Sequence, residues 1–351
     1  MNLTKKISFL ILYPLSLIYD VITSLRNFLY DKKILSTIKF SIPIISVGNL
    51  SVGGTGKTPF VEYLSKHYLD KKYNIAILSR GYKRKTTGYI IAEETQNYLS
   101  IGDEPMQYYL KFNDKLIVSV CEDRIYGINR IINDYPKTNL IILDDGFQQR
   151  KINSSFNIVI SNFNKPFFCD YLLPFGLLRE KRVNISRADL VVFSKVPKDV
   201  FHDDFKNYTI ESKKYLIRKN NIFFTEILYS KLLPLFNRNL NINSTKKVIA
   251  ASSISESSLF IGYIKSKYNL IKSYNFPDHH IYKINDIDNI FNNLKKDTIL
   301  IITEKDVPKF KIHKNKISNY PIFFLPIQVN IILNEKKQFF NKIDSYLNSY
   351  N

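Results

Sequence analysis

The stretch IISVGNLSVGGTGKTPFVEYL, residues 44–64, runs from an apolar segment through four glycines (Gly48, Gly53, Gly54, Gly56) into Lys57-Thr58 and then a helix-like sequence. A full phosphate loop reads G-x-x-x-x-G-K-[ST]. Here the last three positions are Gly56, Lys57 and Thr58, while Ser51 stands where the first glycine would be. Glycines let successive backbone N–H groups turn inward onto phosphate oxygens, and the helix that follows adds the positive end of its dipole. Ser51, Val52, Gly53, Gly54, Thr55, Gly56, Lys57 and Thr58 are therefore expected to cradle a nucleoside triphosphate. Lys57 would reach the β- and γ-phosphates, and the Thr58 hydroxyl would bind Mg²⁺.

The sequence around this loop predicts the fold that carries it. Residues 40–50 read as a strand entering the loop, and 58–72 as the helix leaving it. Short apolar runs at 73–81, 115–120, 138–146, 156–162 and 188–195 read as further strands separated by helical segments. Continuous apolar strands of that kind signal a parallel sheet covered on both faces. The run LIILDDGFQQR carries Asp144 and Asp145 at a strand tip, where phosphate-loop proteins place an acid beside Mg²⁺. Asp144 is the metal-side candidate, and Asp145 either stands behind the metal's own ligands or contacts water. Near residue 200 the texture becomes charged and aromatic. The alternation over 221–229 suggests an antiparallel or linking strand, and runs at 246–254, 297–306 and 319–329 suggest a second set of strands. The expected architecture is α/β: a phosphate-loop NTPase-like parallel sheet sandwiched by helices, a second smaller α/β domain, and an N-terminal amphipathic helix. The corresponding domains are 1–33, 34–220 and 221–351, with the second boundary placed within about 215–240.

Composition narrows the partners. The 351 residues hold 51 Lys plus Arg against 31 Asp plus Glu, a formal charge of +20. Such a field favours nucleic acid, an anionic membrane face or a polyanionic substrate. No nucleic-acid-binding module is recognisable. Two cysteines without a CxxC pair fit a reducing compartment and offer no zinc site. At the N-terminus, Lys5 and Lys6 precede an uncharged run from Ile7 to Tyr19 that Pro14 and Asp20 make a poor membrane span. From Leu15 on, Leu17, Ile18, Val21, Ile22, Leu25, Phe28 and Leu29 fall on one helical stripe. That helix belongs either to the core or to a membrane interface.

Two motifs declare no role by themselves. In SIGDEPMQ, residues 100–107, Asp103 suits a helix cap before Pro105. In NFPDHHIY, residues 275–282, a histidine pair is more often structural than catalytic. Two Arg- and Lys-rich loops, residues 79–85 and 172–182, suit anionic ligands or plain solvation.

Taken in order, GNLSVGGTGKTP, LSRGYKRK, GDEP, LDDGFQ, LLPFGLLRE, PDHH and TEKD resemble the tetraacyldisaccharide 4'-kinase family over residues 40–310. The resemblance implies ATP- and Mg²⁺-dependent phosphorylation of the 4'-hydroxyl of a lipid A disaccharide 1-phosphate, giving lipid IVA. It implies an active site between the two domains, association with the cytoplasmic face of the inner membrane through the N-terminal helix, and no obligate protein or nucleic-acid partner. It assigns Asp103 as the base for the sugar hydroxyl and His279 as its partner. Lys57 and Arg179 stand at the phosphates, and Thr58, Asp144, Asp145 and Glu180 on the metal side. Three positions depart from the family pattern: Ser253 replaces a glycine, Gln149 replaces a common histidine, and Lys83 interrupts the SRGY segment. A nucleotide-dependent switch or metal-chaperone ATPase is the alternative, though TEKD, residues 303–306, lacks the spacing of a guanine-binding motif.

Overall fold

A computed structural model describes residues 3–216, 221–236, 247–295 and 297–350; the side chains of 3–10 and of 154–155 are outside the described set. Lys5 and Lys6 and parts of the 215–240 boundary region thus fall outside the described features. The strands in chain order are β1 (Ile38–Gly48), β2 (Ile75–Ser79), β3 (Ile90–Ile91), β4 (Ile117–Val120), β5 (Leu140–Asp144), β6 (Ile152–Asn162), β7 (Leu190–Ser194), β8 (Ile222–Tyr229), β9 (Leu233–Pro234), β10 (Lys247–Ser252), β11 (Asn269–Asn275), β12 (Thr298–Thr303), β13 (Ile322–Leu325) and β14 (Ile327–Ile331). The helices are α1 (Leu3–Asp31), α2 (Lys57–Asp70), α3 (Tyr98–Ile101), α4 (Asp103–Phe112), α5 (Arg124–Asp134), α6 (His202–Lys213), α7 (Ser257–Lys267), α8 (Ile284–Phe291), α9 (Val307–Lys311), α10 (Lys314–Ile317) and α11 (Lys336–Leu347).

Two compact units interleave along the chain. The first comprises residues 1–78, 123–227 and 329–351; the second comprises 79–122 and 228–328. A single cut at 220/221, as expected from texture, does not describe that interleaving.

In the first unit the strand order is β14-β8-β7-β6-β1-β5-β2. The pairs β1–β5, β1–β6, β2–β5, β6–β7 and β7–β8 are all parallel. Of the two expectations for 221–229, antiparallel or linking, the antiparallel one is corrected: Val191, Val192 and Phe193 pair in parallel with Ile222, Phe223 and Phe224, and β8 runs from the first unit's residues into the second's at 227/228. The alternation there reflects an apolar half buried on both faces giving way to a half-exposed end. β5 and β7 carry the unbroken apolar runs Leu140–Leu143 and Leu190–Phe193 because both faces of this sheet are covered, and β1 is buried over its last five residues. One face packs an aromatic cluster of Phe163, Phe167, Phe193 and Phe224. On α2, Phe60 meets Phe339 of α11 edge-on at 5.9 Å.

The second unit is built on a five-stranded sheet in the order β11-β10-β12-β13-β9, parallel apart from the antiparallel β13–β9 pair. Its core holds Ile249, Leu300, Ile302, Ile287, Ile290 and Phe310. β3 and β4 form an antiparallel pair in the same unit. The run at 319–329, which reads as one strand in the sequence, is two. β13 and β14 are broken at Pro326, which lacks the N–H a central strand needs.

Candidate functional site

The first unit carries the glycine loop between β1 and α2. Gly53 and Gly56 are its left-handed residues, at φ +101° and +86°, a region that costs a side chain dearly and glycine nothing. Ser51 is not among the left-handed positions, which is why serine is tolerated where the general phosphate-loop pattern has glycine; it bridges to Leu178 instead. Gly56 is the N-cap of α2, so Lys57 and Thr58 occupy its first turn. The loop is held from three sides. Val52 N–H donates to Leu177 O at 2.8 Å and Arg179 N–H to Leu50 O at 2.7 Å. Ser194 Oγ donates to Thr55 O at 2.6 Å, and Lys195 Nζ to Gly54 O at 2.7 Å. Asn49 Nδ2 donates to Thr55 Oγ1 at 3.0 Å. Ser194 and Lys195, at the tip of β7, are site residues that sequence reasoning misses; only their place at a strand end points to them.

β5 delivers the two carboxylates to the same strand edge. Asp144 and Thr58 are both buried. Asp145, half-buried and at φ +56°, turns toward the cations. Arg179 Nη1 reaches both its oxygens at 2.9 Å, and Lys57 Nζ lies 3.6 Å away. Burial disfavours the Asp145 charge, but Lys57 and Arg179 outweigh it and hold the carboxyl below its ordinary range. Glu180 is buried and engaged by four donors: Asn27 at 2.9 Å, Gln148 at 3.2 Å, Asn184 at 3.0 Å and Arg187 at 2.5 Å. Among the described residues no three His, Cys, Asp or Glu side chains converge as a metal-binding group. The Thr58 hydroxyl and the Asp144 carboxylate are donors of the kind Mg²⁺ takes, since that ion keeps several waters and adds one or two carboxylates and substrate phosphates.

α1 joins this unit by its polar side. Ser16, Tyr19, Asp20, Thr23 and Asn27 recur at helical spacing. Ser16 Oγ accepts from Phe175 N–H at 3.0 Å and lies 3.0 Å from Leu172 O. Tyr19 donates to Arg179 O at 2.9 Å, and Asp20 pairs with Lys181 at 3.1 Å. The opposite stripe is open: Leu17, Ile18, Val21, Ile22, Leu25 and Phe28 are each at least half exposed. The core-helix alternative is thereby corrected, because the apolar stripe is the face that does not pack. Among the described residues no helix is long and apolar enough to cross a membrane. A cavity of about 720 Å³ flanks the end of α1, with Gln149, Arg150, Arg187 and Lys33 in its wall.

The second unit holds Asp103 and His279. Gly102, at φ 98° and ψ 156°, occupies a region open essentially to glycine alone, and a Cβ there would lie 3.3 Å from both Gly81 Cα and Tyr82 O. That bend makes Gly102 the N-cap and Asp103 the first residue of α4, so the expectation that Asp103 caps a helix begun at Pro105 shifts by two residues. The carboxylate, 5 % exposed, accepts from His279 Nδ1 at 2.8 and 3.0 Å. An ionised carboxylate only accepts, so Nδ1 carries the proton; Lys305 Nζ then donates to Nε2 at 3.4 Å. His279 sits at φ +60° in the turn after Pro277 with the Tyr82 ring edge-on at 5.1 Å. Burial opposes the charge on Asp103, but the His279 hydrogen bond and the ammonium groups of Lys305 and Lys309 prevail, and the carboxyl is held well below the usual range. His280 is structural: it contacts Asp286 at 3.0 Å and stacks on Phe276. Arg84, from the basic loop, is likewise occupied, paired with Glu122 at 2.5 Å.

The pattern that defines the family described as Tetraacyldisaccharide-1-P 4'-kinase matches residues 8–348. A tetraacyldisaccharide 4'-kinase of Flavobacterium psychrophilum is 39 % identical over 340 residues, covering 96 % of each chain. One of Porphyromonas gingivalis strain W83 is 36 % identical over 346 residues, covering 95 % of each. The crystal structure of LpxK from Aquifex aeolicus in complex with ATP aligns with a TM-score of 0.75 at 30 % identity, covering 95 % of this chain and 98 % of that one.

Proposed function

The chain belongs to the tetraacyldisaccharide 4'-kinase family, and we propose that it transfers the γ-phosphoryl group of ATP to the 4'-hydroxyl of a tetraacyldisaccharide 1-phosphate, the step that yields lipid IVA. The observation that carries the reading is the convergence of Lys57 and Arg179 on Asp145 beside the glycine loop. Two cations held by one half-buried carboxylate at a phosphate loop are poised to take a triphosphate in its place. The ATP-bound relative supports the nucleotide.

Phosphoryl transfer passes through a loose state, so positioning and neutralisation of charge do most of the work. Lys57, Arg179 and the loop amides other than those of Val52 and Thr55, which donate to Leu177 O and Gly53 O, would bind the phosphates. Thr58 and Asp144 are the candidates to hold Mg²⁺, with Asp145 and Glu180, both engaged by protein donors, as the further acids on the metal side; the ion when bound would neutralise charge on the phosphoryl oxygens. Asp103 would accept the proton of the sugar hydroxyl. In a loose transition state that proton leaves late, so a carboxylate held ionised by His279, Lys305 and Lys309 serves first to aim the hydroxyl. The open apolar stripe of α1 would lie in the membrane interface on the cytoplasmic side of the inner membrane, where the acceptor's acyl chains remain. Gln149, Arg150, Arg187 and Lys33 suit an anionic headgroup beside it.

The deciding experiment is transfer of radiolabel from γ-labelled ATP to a tetraacyl disaccharide 1-phosphate. Wild type should label the lipid, and Lys57→Ala should lose at least about 10²-fold in rate. Label released as phosphate without acceptor, or an unaffected Lys57→Ala, would point to an ATPase or switch instead.

A further inference from the structure

Lys309, on α9, is 1 % exposed. A buried ammonium is costly unless its donors are satisfied. It has three donors and meets three acceptors: Ser253 Oγ at 2.7 Å, Asp103 Oδ2 at 3.3 Å and Asp306 Oδ1 at 3.5 Å. Asp306 is fully buried and tied down separately. Thr303 Oγ1 donates to it at 2.6 Å, Ser253 N–H donates at 3.0 Å, and the Ser253 hydroxyl donates to its other oxygen. One end of the cluster is therefore anchored in the β10 and β12 ends of the sheet, while the other end is Asp103. The Ser253 side chain donates to Asp306 and accepts from Lys309.

We propose that Lys309 is a positioning residue for the phosphoryl-transfer reaction: anchored on Asp306 and Ser253, its ammonium holds the Asp103 carboxylate at a fixed place and angle. Ser253 is a strut of that anchor which glycine at the same position could not supply. The inference rests on Asp103 acting as the acceptor-side base.

The charged and titratable groups that face Asp103 are His279 from the Pro277 turn, Lys305 from the Glu304–Asp306 turn, Lys309 from α9, Tyr98 from α3 and the adjacent Glu104. Burial pushes Asp103 toward its neutral form, and the hydrogen bond and cations reverse that. Removing the Lys309 charge leaves burial less opposed, so Asp103 takes up a proton at higher pH than before.

The test compares Lys309→Met, Ser253→Ala, Asp103→Asn and the Lys309→Met/Asp103→Asn double variant. Each is assayed for kcat and for KM of ATP and acceptor across about pH 5 to 9, with thermal melting alongside. Lys309→Met should lose about 10- to 100-fold in kcat, keep its KM for ATP, and shift the low-pH side of its profile upward relative to wild type. Ser253→Ala should lose about 3- to 10-fold with the same signature, and Lys309→Met should add less than about threefold on top of Asp103→Asn. Wild-type kcat and pH profile in both Lys309→Met and Ser253→Ala, with Asp103→Asn impaired, overturns the positioning role and leaves the base intact. Losses that multiply in full in the double variant overturn the positioning role in the same way. An unimpaired Asp103→Asn overturns the base and this inference with it. If Lys309→Met does not fold, Ser253→Ala, which deletes one oxygen, decides by the same readouts.

Discussion

Replacing Val21 and Leu25 together by glutamate should strip the protein from membranes without disturbing its fold. Both side chains lie on the open stripe of α1, 66 % and 56 % exposed. Fully burying a Val or Leu is worth about 1.5–3 kcal/mol, so sinking the exposed share of these two is worth about 1–2 kcal/mol each, or about 2–4 kcal/mol together. At about 1.4 kcal/mol per tenfold, vesicle binding should weaken by roughly 10²-fold, and repulsion between the new carboxylates and anionic lipid adds to that. The fold should tolerate the change because α1 is held through Ser16, Tyr19, Asp20 and Asn27 on the opposite side. The measurement is co-sedimentation with anionic vesicles over a range of salt, paired with thermal melting and with activity on detergent-dispersed acceptor. Undiminished sedimentation would show that this stripe is not the membrane contact. A large fall in melting temperature would show that the stripe is packed against protein, contrary to its exposure.

Two further outcomes follow from the geometry around Asp103 and Asp145. Gly102→Ala forces a side chain into φ 98°, ψ 156° and against Gly81 and Tyr82; it should cost about 1–3 kcal/mol in urea unfolding and lower kcat by displacing Asp103, and a variant with unchanged stability and kcat refutes the strain. Stability should also fall in acid. Loss of water around Asp103 and Asp145 raises a carboxyl pKa, yet nearby cations bring both below the ordinary range in the folded state. The unfolded chain then binds more protons, so their contribution is complete above about pH 4–5 and is lost as pH falls below that toward the folded values. Urea midpoints should be level from about pH 8 to 5, drop below about pH 4, and drop less steeply in Asp103→Asn; a midpoint indifferent to acid would contradict the pairing.

Much was legible in the sequence because it depends on neighbours along the chain. The glycine loop, the strand feeding it, the helix leaving it and the carboxylates at the tip of β5 are local patterns, set by backbone freedom at Gly53 and Gly56 and by unbroken apolar runs in a sheet covered on both faces. Resemblance added Asp103 and His279, residues whose spacing alone indicated a cap and a structural pair. Packing decided the rest. Helical periodicity identifies a stripe on α1 but not which side meets protein, and here the polar side does. β8 pairs in parallel because its partner is β7, a fact alternation does not encode. The anchoring of Lys309 brings Asp103, Ser253 and Asp306, from three separate segments, around one buried charge. Sequence shows which groups need partners; only the folded chain, by removing water from around Lys309, determines which partners must be supplied.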